Sequence, residues 1–241
     1  MKIKPYIFNY CRYFESFDLL NSFESKGLEA KVIDCYCQNN SDVLKKLSFE
    51  NKRVISLPNV GYSGQWNAML NDLNGEDEVV LLINSDVQIL NLDLLLERME
   101  RFYSIENSGI YAPNVNWTSW TFLKKSLDKF EDFHIVPATD SMIWSLRKDI
   151  AFKVGEVDLS VNKWGWGIEV VASYLCNIEN KLVVRDYEVL CKHPRNTSYS
   201  NTASRIQMDN WFDSFEFSED LWKHFYSRNN YGFKSGGITL L

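Results

Sequence analysis

The residues best suited to chemistry in this chain lie where apolar runs give way to short polar stretches. Val79-Val80-Leu81-Leu82-Ile83 is unbroken and ends in Asn84-Ser85-Asp86. Such a run reads as a strand buried on both faces, and ligands collect at the carboxyl ends of strands of that kind. Asp86 therefore stands where a metal ligand or a substrate-binding acid belongs, although Asn-Ser-Asp also makes a good turn. A second strand pattern, Ala30-Lys31-Val32-Ile33, runs into Asp34. Between the two, Asn59-Val60-Gly61-Tyr62-Ser63-Gly64-Gln65-Trp66-Asn67 sets glycines ahead of a helix. Three such features at successive strand ends share one crevice, and that crevice suits a nucleoside diphosphate. Asp34 can accept hydrogen bonds from a base edge or a ribose. The glycines allow close backbone approach and a helix N-terminus near the phosphates. Asp86 can hold a divalent cation that neutralises the diphosphate. The spacing is not that of a P-loop, and no GxGxxG follows the first strand.

These positions require βαβ units. Tyr6 to Tyr10 reads as the first strand, and a helical rhythm from Arg12 to Lys26 stops at Gly27. Strands follow at Ala30–Cys35, Arg53–Leu57 and Val79–Ile83, with helices at Asp42–Phe49 and Gly61–Leu73 between them. Leu92 to Tyr103 is amphipathic. Shorter strands are expected at Gly109–Pro113, Phe133–Val136 and Ser141–Leu146, then a helix from Lys148 ending before Gly155. A glycine-broken aromatic loop, Trp164-Gly165-Trp166-Gly167, leads into a helix from Ile168 to about Asn177, and Lys181 to Leu190 is a last strand. Strands alternating with helices predict an α/β domain with a mostly parallel central sheet flanked by helices. One domain over 1–203 and a C-terminal helical extension over 204–241 are expected.

The 241 residues suffice for a sizeable core, with 45% hydrophobic and 24% charged residues. A net charge of −6 and the lack of a basic cluster argue against nucleic acid. No apolar run approaches the ~20 residues that span a bilayer, and the N-terminus turns polar too quickly for a signal peptide. Cysteines at 11, 35, 37, 176 and 191 form no CxxC pair, so reduced thiols in a cytoplasmic protein are expected rather than zinc.

The order strand–Asp34–loop, Asn-x-Gly-x-x-Gly-x-x-Asn and LLINSDV resembles the nucleotide-sugar-binding half of a GT-A glycosyltransferase of the large inverting family two. Asn84-Ser85-Asp86 stands where that family carries its DxD motif. Thr139-Asp140 to Gly155 resembles its strand and helix below the acceptor site, Trp164-Gly165-Trp166-Gly167-Ile168-Glu169 its acidic motif at a helix start, and Lys192-His193-Pro194-Arg195 its late His-Pro. The resemblance covers about residues 5–200 and implies a single Rossmann-like domain.

It further implies transfer of a sugar, from a UDP-sugar by preference, to a glycan or glycolipid hydroxyl with inversion. Glu169 is then the general base. Asp86 and His193 hold Mn²⁺ or Mg²⁺. Asn9, Asp34, Asn59 and Gly61 bind the donor nucleotide, together with Asn67, Asn84, Ser85 and Arg195. Asp140, Trp164 and Trp166 face the acceptor. Two departures stand out. Val170 follows Glu169 where the family often has a second acid, which would leave Asp140 or Asp158 as substitutes if Glu169 is not the base. Trp66 replaces a small residue and is placed to reshape the sugar pocket.

Two other readings remain open: a sugar-nucleotide nucleotidyltransferase, disfavoured because Asn9 to Tyr13 contains no glycine, and a non-catalytic nucleotide-sugar-binding module. The aromatic segment from 204 to 230 could meet a membrane surface or a second copy of the chain. Its acids Asp209, Asp213, Glu216, Glu219 and Asp220 would repel anionic lipid, so packing on the domain or a partner subunit is favoured.

Overall fold

The computed structural model describes residues 1–35, 53–75, 79–117, 126–194 and 201–226, and the backbone of 227–230. The expected helix at 42–49, Cys37 and Arg195 lie outside them. Among the described residues, ten strands form one sheet: β1 (Ile3–Tyr10), β2 (Lys31–Cys35), β3 (Val54–Leu57), β4 (Val79–Asn84), β5 (Gln88–Ile89), β6 (Ser108–Val115), β7 (Asp128–Phe130), β8 (Phe133–Ile135), β9 (Ile143–Arg147) and β10 (Leu182–Lys192). The helices are α1 (Tyr13–Ser25), α2 (Gly61–Asp72), α3 (Leu92–Tyr103), α4 (Lys148–Gly155), α5 (Ile168–Ile178), α6 (Asn201–Asp213) and α7 (Ser218–Asn230).

The order along the sheet is β3-β2-β1-β4-β9-β6-β10-β8-β7, with β5 on the end of β10. The N-terminal half, β3-β2-β1-β4, is parallel. Antiparallel β9 then separates β4 from β6, so the sheet as a whole is mixed. β10 pairs parallel to β6, which brings the far end of the chain to the same edge as β4.

The unbroken apolar run of β4 reflects two cores. Val80 and Leu82 face one side with Tyr6 and Phe8 of β1. Val79, Leu81 and Ile83 face the other with Ile3 and Ile7. Side chains alternate along a strand, so a strand covered on both faces must be apolar at every position. Leu19, Leu20 and Phe23 of α1 and Leu95, Met99 and Phe102 of α3 cover the second face. Residues from α2, α4, α5, α6 and α7 cover the first. Gly27 ends α1 at φ +73°, where the Gly27 and Leu28 N–H groups donate back to Glu24 and Phe23.

Position 204 falls inside α6. Met208, Trp211 and Phe212 are fully buried with the α5 side chains, so α6 is part of the core face. Truncating Trp211 or Phe212 to Ala would cost about 3–5 kcal/mol, a large share of a domain's stability.

Candidate functional site

The carboxyl ends of β1, β2 and β4 open into a cavity of about 630 Å³. Asn84, Ser85 and Asp86 lie on its floor. The Asn84 N–H donates to the Met142 carbonyl at 2.8 Å and the Ser85 N–H to the Phe8 carbonyl at 3.0 Å, which fixes the turn that presents Asp86. Asp86 Oδ1 lies 3.3 Å from His193 Nε2, and Asp86 Oδ2 lies 4.0 Å from Arg12 Nε. Burial alone would raise the Asp86 pKa. The His193 hydrogen bond and the charges of His193 and Arg12 outweigh it and hold the carboxyl below its ordinary value.

His193 is held from β6. Its N–H donates to Asn116 Oδ1 at 2.8 Å, and its ring stacks on Trp117, with centroids 6.1 Å apart and planes 10° apart. The parallel register of β6 and β10 delivers His193 to Asp86.

An oxygen and an imidazole nitrogen 3.3 Å apart suit a divalent cation. Neighbouring ligands of an octahedral ion with bonds of about 2.1 Å are about 3 Å apart. Among the described residues no cluster of three His, Cys, Asp or Glu forms. The remaining ligands would come from a diphosphate and water. Asp86 and His193 therefore fit Mn²⁺ or Mg²⁺ as a pair of protein donors.

Glu169 lines the same cavity, fully buried in the first turn of α5. Trp164 and Trp166 line it too, half-buried, and the exposed Lys163 stands beside them. Gly61 lets this loop meet α2. Its φ is +70°, and a Cβ there would fall 2.2 Å from the Lys163 carbonyl, which accepts from the Tyr62 N–H at 2.8 Å. Gly165 (φ +72°) in turn abuts the Tyr62 ring.

Asp140 also lines the cavity but is buried against Arg185, with which it forms an ion pair. Burial raises its pKa, opposed by Arg185. Asp158, the other substitute acid, is exposed and lines a separate open groove with Ser63, Asn67 and Glu156. Of the three acids, Glu169 and Asp140 share the cavity with Asp86, and Asp140 is already paired with Arg185.

Several expected nucleotide residues take other positions. Asn59 and Gly61 line the cavity. Asn9 and Asp34 lie buried at its base: Asn9 Nδ2 donates to Asp34 Oδ1 at 2.7 Å, and the Tyr13 hydroxyl donates to Asp34 Oδ2 at 3.1 Å. Burial raises the Asp34 pKa against these two bonds. Asn67 is exposed on the outer face of α2, away from Asp86. Trp66 is corrected outright: it is fully buried against Trp144, with ring centroids 5.9 Å apart, and does not line the cavity. The expectation of reduced thiols is corrected at Cys11, which is disulfide-bonded; Cys35, Cys176 and Cys191 are free and buried.

Sequence reasoning missed Arg12, Gln65 and Trp117. Arg12 stands two residues past a strand end, a signal in plain view. Gln65 gives none, yet its buried amide ties β1 to β2, donating to the carbonyls of Asn9 at 3.0 Å and Ile33 at 2.8 Å. Trp117 lies just past a strand that runs to Val115, beyond its expected end.

No protein-family model matches the chain, and no curated protein matches it in sequence. Solved structures do match. S. aureus TarS superposes with a TM-score of 0.64 at 15% identity over 97% of this chain and 44% of TarS. GalNAc-T7 with UDP, GalNAc and Mn²⁺ gives 0.58 at 10% identity, over 97% of this chain and 55% of that one. Glucosyl-3-phosphoglycerate synthase from Mycobacterium tuberculosis, with Mn²⁺, UDP-glucose and phosphoglyceric acid, gives 0.54 at 11% identity, over 99% and 83%. The fold is that of the GT-A glycosyltransferases. This chain spans about half the length of the first two. No helix among its described residues is long and apolar enough to cross a membrane.

Proposed function

We propose that this chain is a metal-dependent glycosyltransferase that moves a sugar from a nucleoside diphosphate, a UDP-sugar by preference, to a glycan or lipid-linked saccharide hydroxyl with inversion. The observation that carries the reading is the Asp86–His193 pair, 3.3 Å apart, in a cavity that Glu169 also lines. Three solved structures of the same fold contain UDP or a UDP-sugar with a divalent metal, which supports such a donor.

The acceptor hydroxyl oxygen attacks the anomeric carbon from the Glu169 side, and the bond from that carbon to the β-phosphate oxygen breaks. The Glu169 carboxylate takes the hydroxyl proton, and the nucleoside diphosphate leaves with the bonding electrons. A metal ion held by Asp86 and His193 would neutralise the charge gained by the leaving diphosphate. Arg12, beside Asp86, adds a positive charge on the same side. Asn59, Gly61, Asn84 and Ser85 face the donor, while Trp164 and Trp166 offer flat apolar faces to an acceptor sugar. Asn9 and Asp34 act from below by shaping the cavity base, Asn67 on the outer face of α2 takes no part, and Arg195 is left as a proposed nucleotide contact.

The test is calorimetric binding of a panel of UDP-, GDP- and dTDP-sugars with and without Mn²⁺, followed by product analysis. Metal-dependent binding of one donor is expected. Absence of binding to every donor, with or without metal, sinks the reading.

A further inference from the structure

The geometry points to α6 as the element that positions the acceptor wall, with Gln207 as its principal positioning residue. One stripe of this helix holds loop 158–167 along its length. Gln207 Oε1 accepts the Trp164 N–H at 3.0 Å. Trp211 Nε1 donates to the Asp158 carbonyl at 2.7 Å. Gly167 sits so close to Met208 and Phe212 that a Cβ there would fall 2.7 Å from a side-chain carbon of each. Residues 207, 208, 211 and 212 fall on one face of a helix because neighbours three and four apart share a side.

Inside the loop, Asn162 closes the remaining gap. Its Nδ2 donates to the Trp166 carbonyl at 2.9 Å, and its Oδ1 accepts the Gly165 N–H at 3.1 Å. The loop thus has its start, middle and end tied to α6 and its interior tied to itself. Its two tryptophans face the cavity, and Glu169 follows in the next turn. Buried hydrophobic anchors at Met208, Trp211 and Phe212 hold α6 in the core, whereas Gln207 is half-buried and contributes its hydrogen bond to Trp164. Removing that one bond should loosen the Trp164 segment while leaving the helix in place. The proposal rests on the glycosyltransferase reading, in that the wall is taken to bind a saccharide acceptor.

The test uses the whole chain and the variants Gln207→Ala and Gln207→Glu, the second of which keeps an acceptor oxygen for the Trp164 N–H. Hydrogen–deuterium exchange reads the loop directly. Steady-state transfer from UDP-glucose with Mn²⁺ to p-nitrophenyl β-glucoside reads the two substrates separately. In Gln207→Ala, amides of the loop should exchange roughly three- to tenfold faster, the range expected for one lost hydrogen bond, with peptides of β4 unchanged. The KM for the glucoside should rise by a similar factor, with the donor KM within about twofold. Gln207→Glu should match the parent in both.

Unchanged loop exchange in Gln207→Ala overturns the proposal, and so does a rise of both KM values together. A loop that loosens with no change in acceptor KM also overturns it, because the bond is then structural only. If the parent binds no donor and transfers to no acceptor, the glycosyltransferase reading fails, and the exchange measurement alone upholds or overturns the positioning role of Gln207.

Discussion

Asp86 Oδ1 and His193 Nε2 meet at 3.3 Å, although one belongs to the β4 turn and the other follows β10, more than a hundred residues later. Two donors brought together across the sheet support the proposed cation site more narrowly than either residue alone. Asp86→Ala should weaken Mn²⁺-dependent UDP binding by more than about 100-fold, since even loss of a residue behind a metal ligand costs 10–100-fold. Asp86 is partly exposed, so the melting temperature should move by only about 2–4 °C. Calorimetry and a thermal melt on the same preparation check both. A variant that binds UDP and Mn²⁺ as tightly as the parent removes Asp86 from the metal site.

Glu169→Gln keeps the shape of the side chain but cannot take a proton. Transfer should fall by about 10²–10⁴-fold, while donor affinity barely moves. Were Glu169 only a favourable charge at a helix start, Gln would cost about 0.3–1 kcal/mol of stability and leave turnover nearly intact. Turnover and denaturation measured on one variant separate the two roles.

Asp34 carries a pH signature. Burial raises its folded-state pKa against the bonds from Asn9 and Tyr13. At low pH both folded and unfolded chains hold the proton, and Asp34 costs nothing. As pH rises past the ordinary Asp value of about 3.9, the unfolded chain ionises first, and stability falls until the folded-state pKa is passed. Asp34→Asn should lack this decline. Melting curves collected in steps above about pH 4 would show the difference; parallel profiles for variant and parent would count against a raised pKa.

Gly61 and Gly27 share a left-handed backbone but not an environment. Gly27 has nothing within 4 Å of a would-be Cβ, whereas at Gly61 the Lys163 carbonyl stands 2.2 Å away. Gly27→Ala should cost about 1–2 kcal/mol from the backbone alone. Gly61→Ala adds a collision with backbone and should cost about 2–5 kcal/mol. Urea unfolding of the pair tests it. Equal losses would mean that the α2–loop approach is less tight than the structure has it.

Local pattern was enough for the elements and for part of the site. The five-residue apolar run before Asn84 read as a doubly covered strand, and its end placed Asp86 at the crevice. The aromatic-glycine loop followed by a helix placed Glu169 in a first turn. Each of these depends on neighbours in sequence, where periodicity and glycine chemistry act. Facing and pairing were decided elsewhere. Gln65 and Asn67 lie about 200° apart around a helix, so once Trp66 and Met69 pack against the sheet, Gln65 turns to the strand ends and Asn67 to solvent. Nothing within residues 59–67 sets that phase; the apolar face of β1 and β2 does. Asp34 could have faced a ligand, but Asn9 and Tyr13, from other elements, reach its oxygens first. His193 reaches Asp86 because β10 lies parallel to β6 and its end pairs with β5 just past Asp86, and α6 meets loop 158–167 while its buried stripe packs in the core with α5. A sequence encodes which side chains seek burial, while the competition among distant surfaces for that burial exists only in the folded chain.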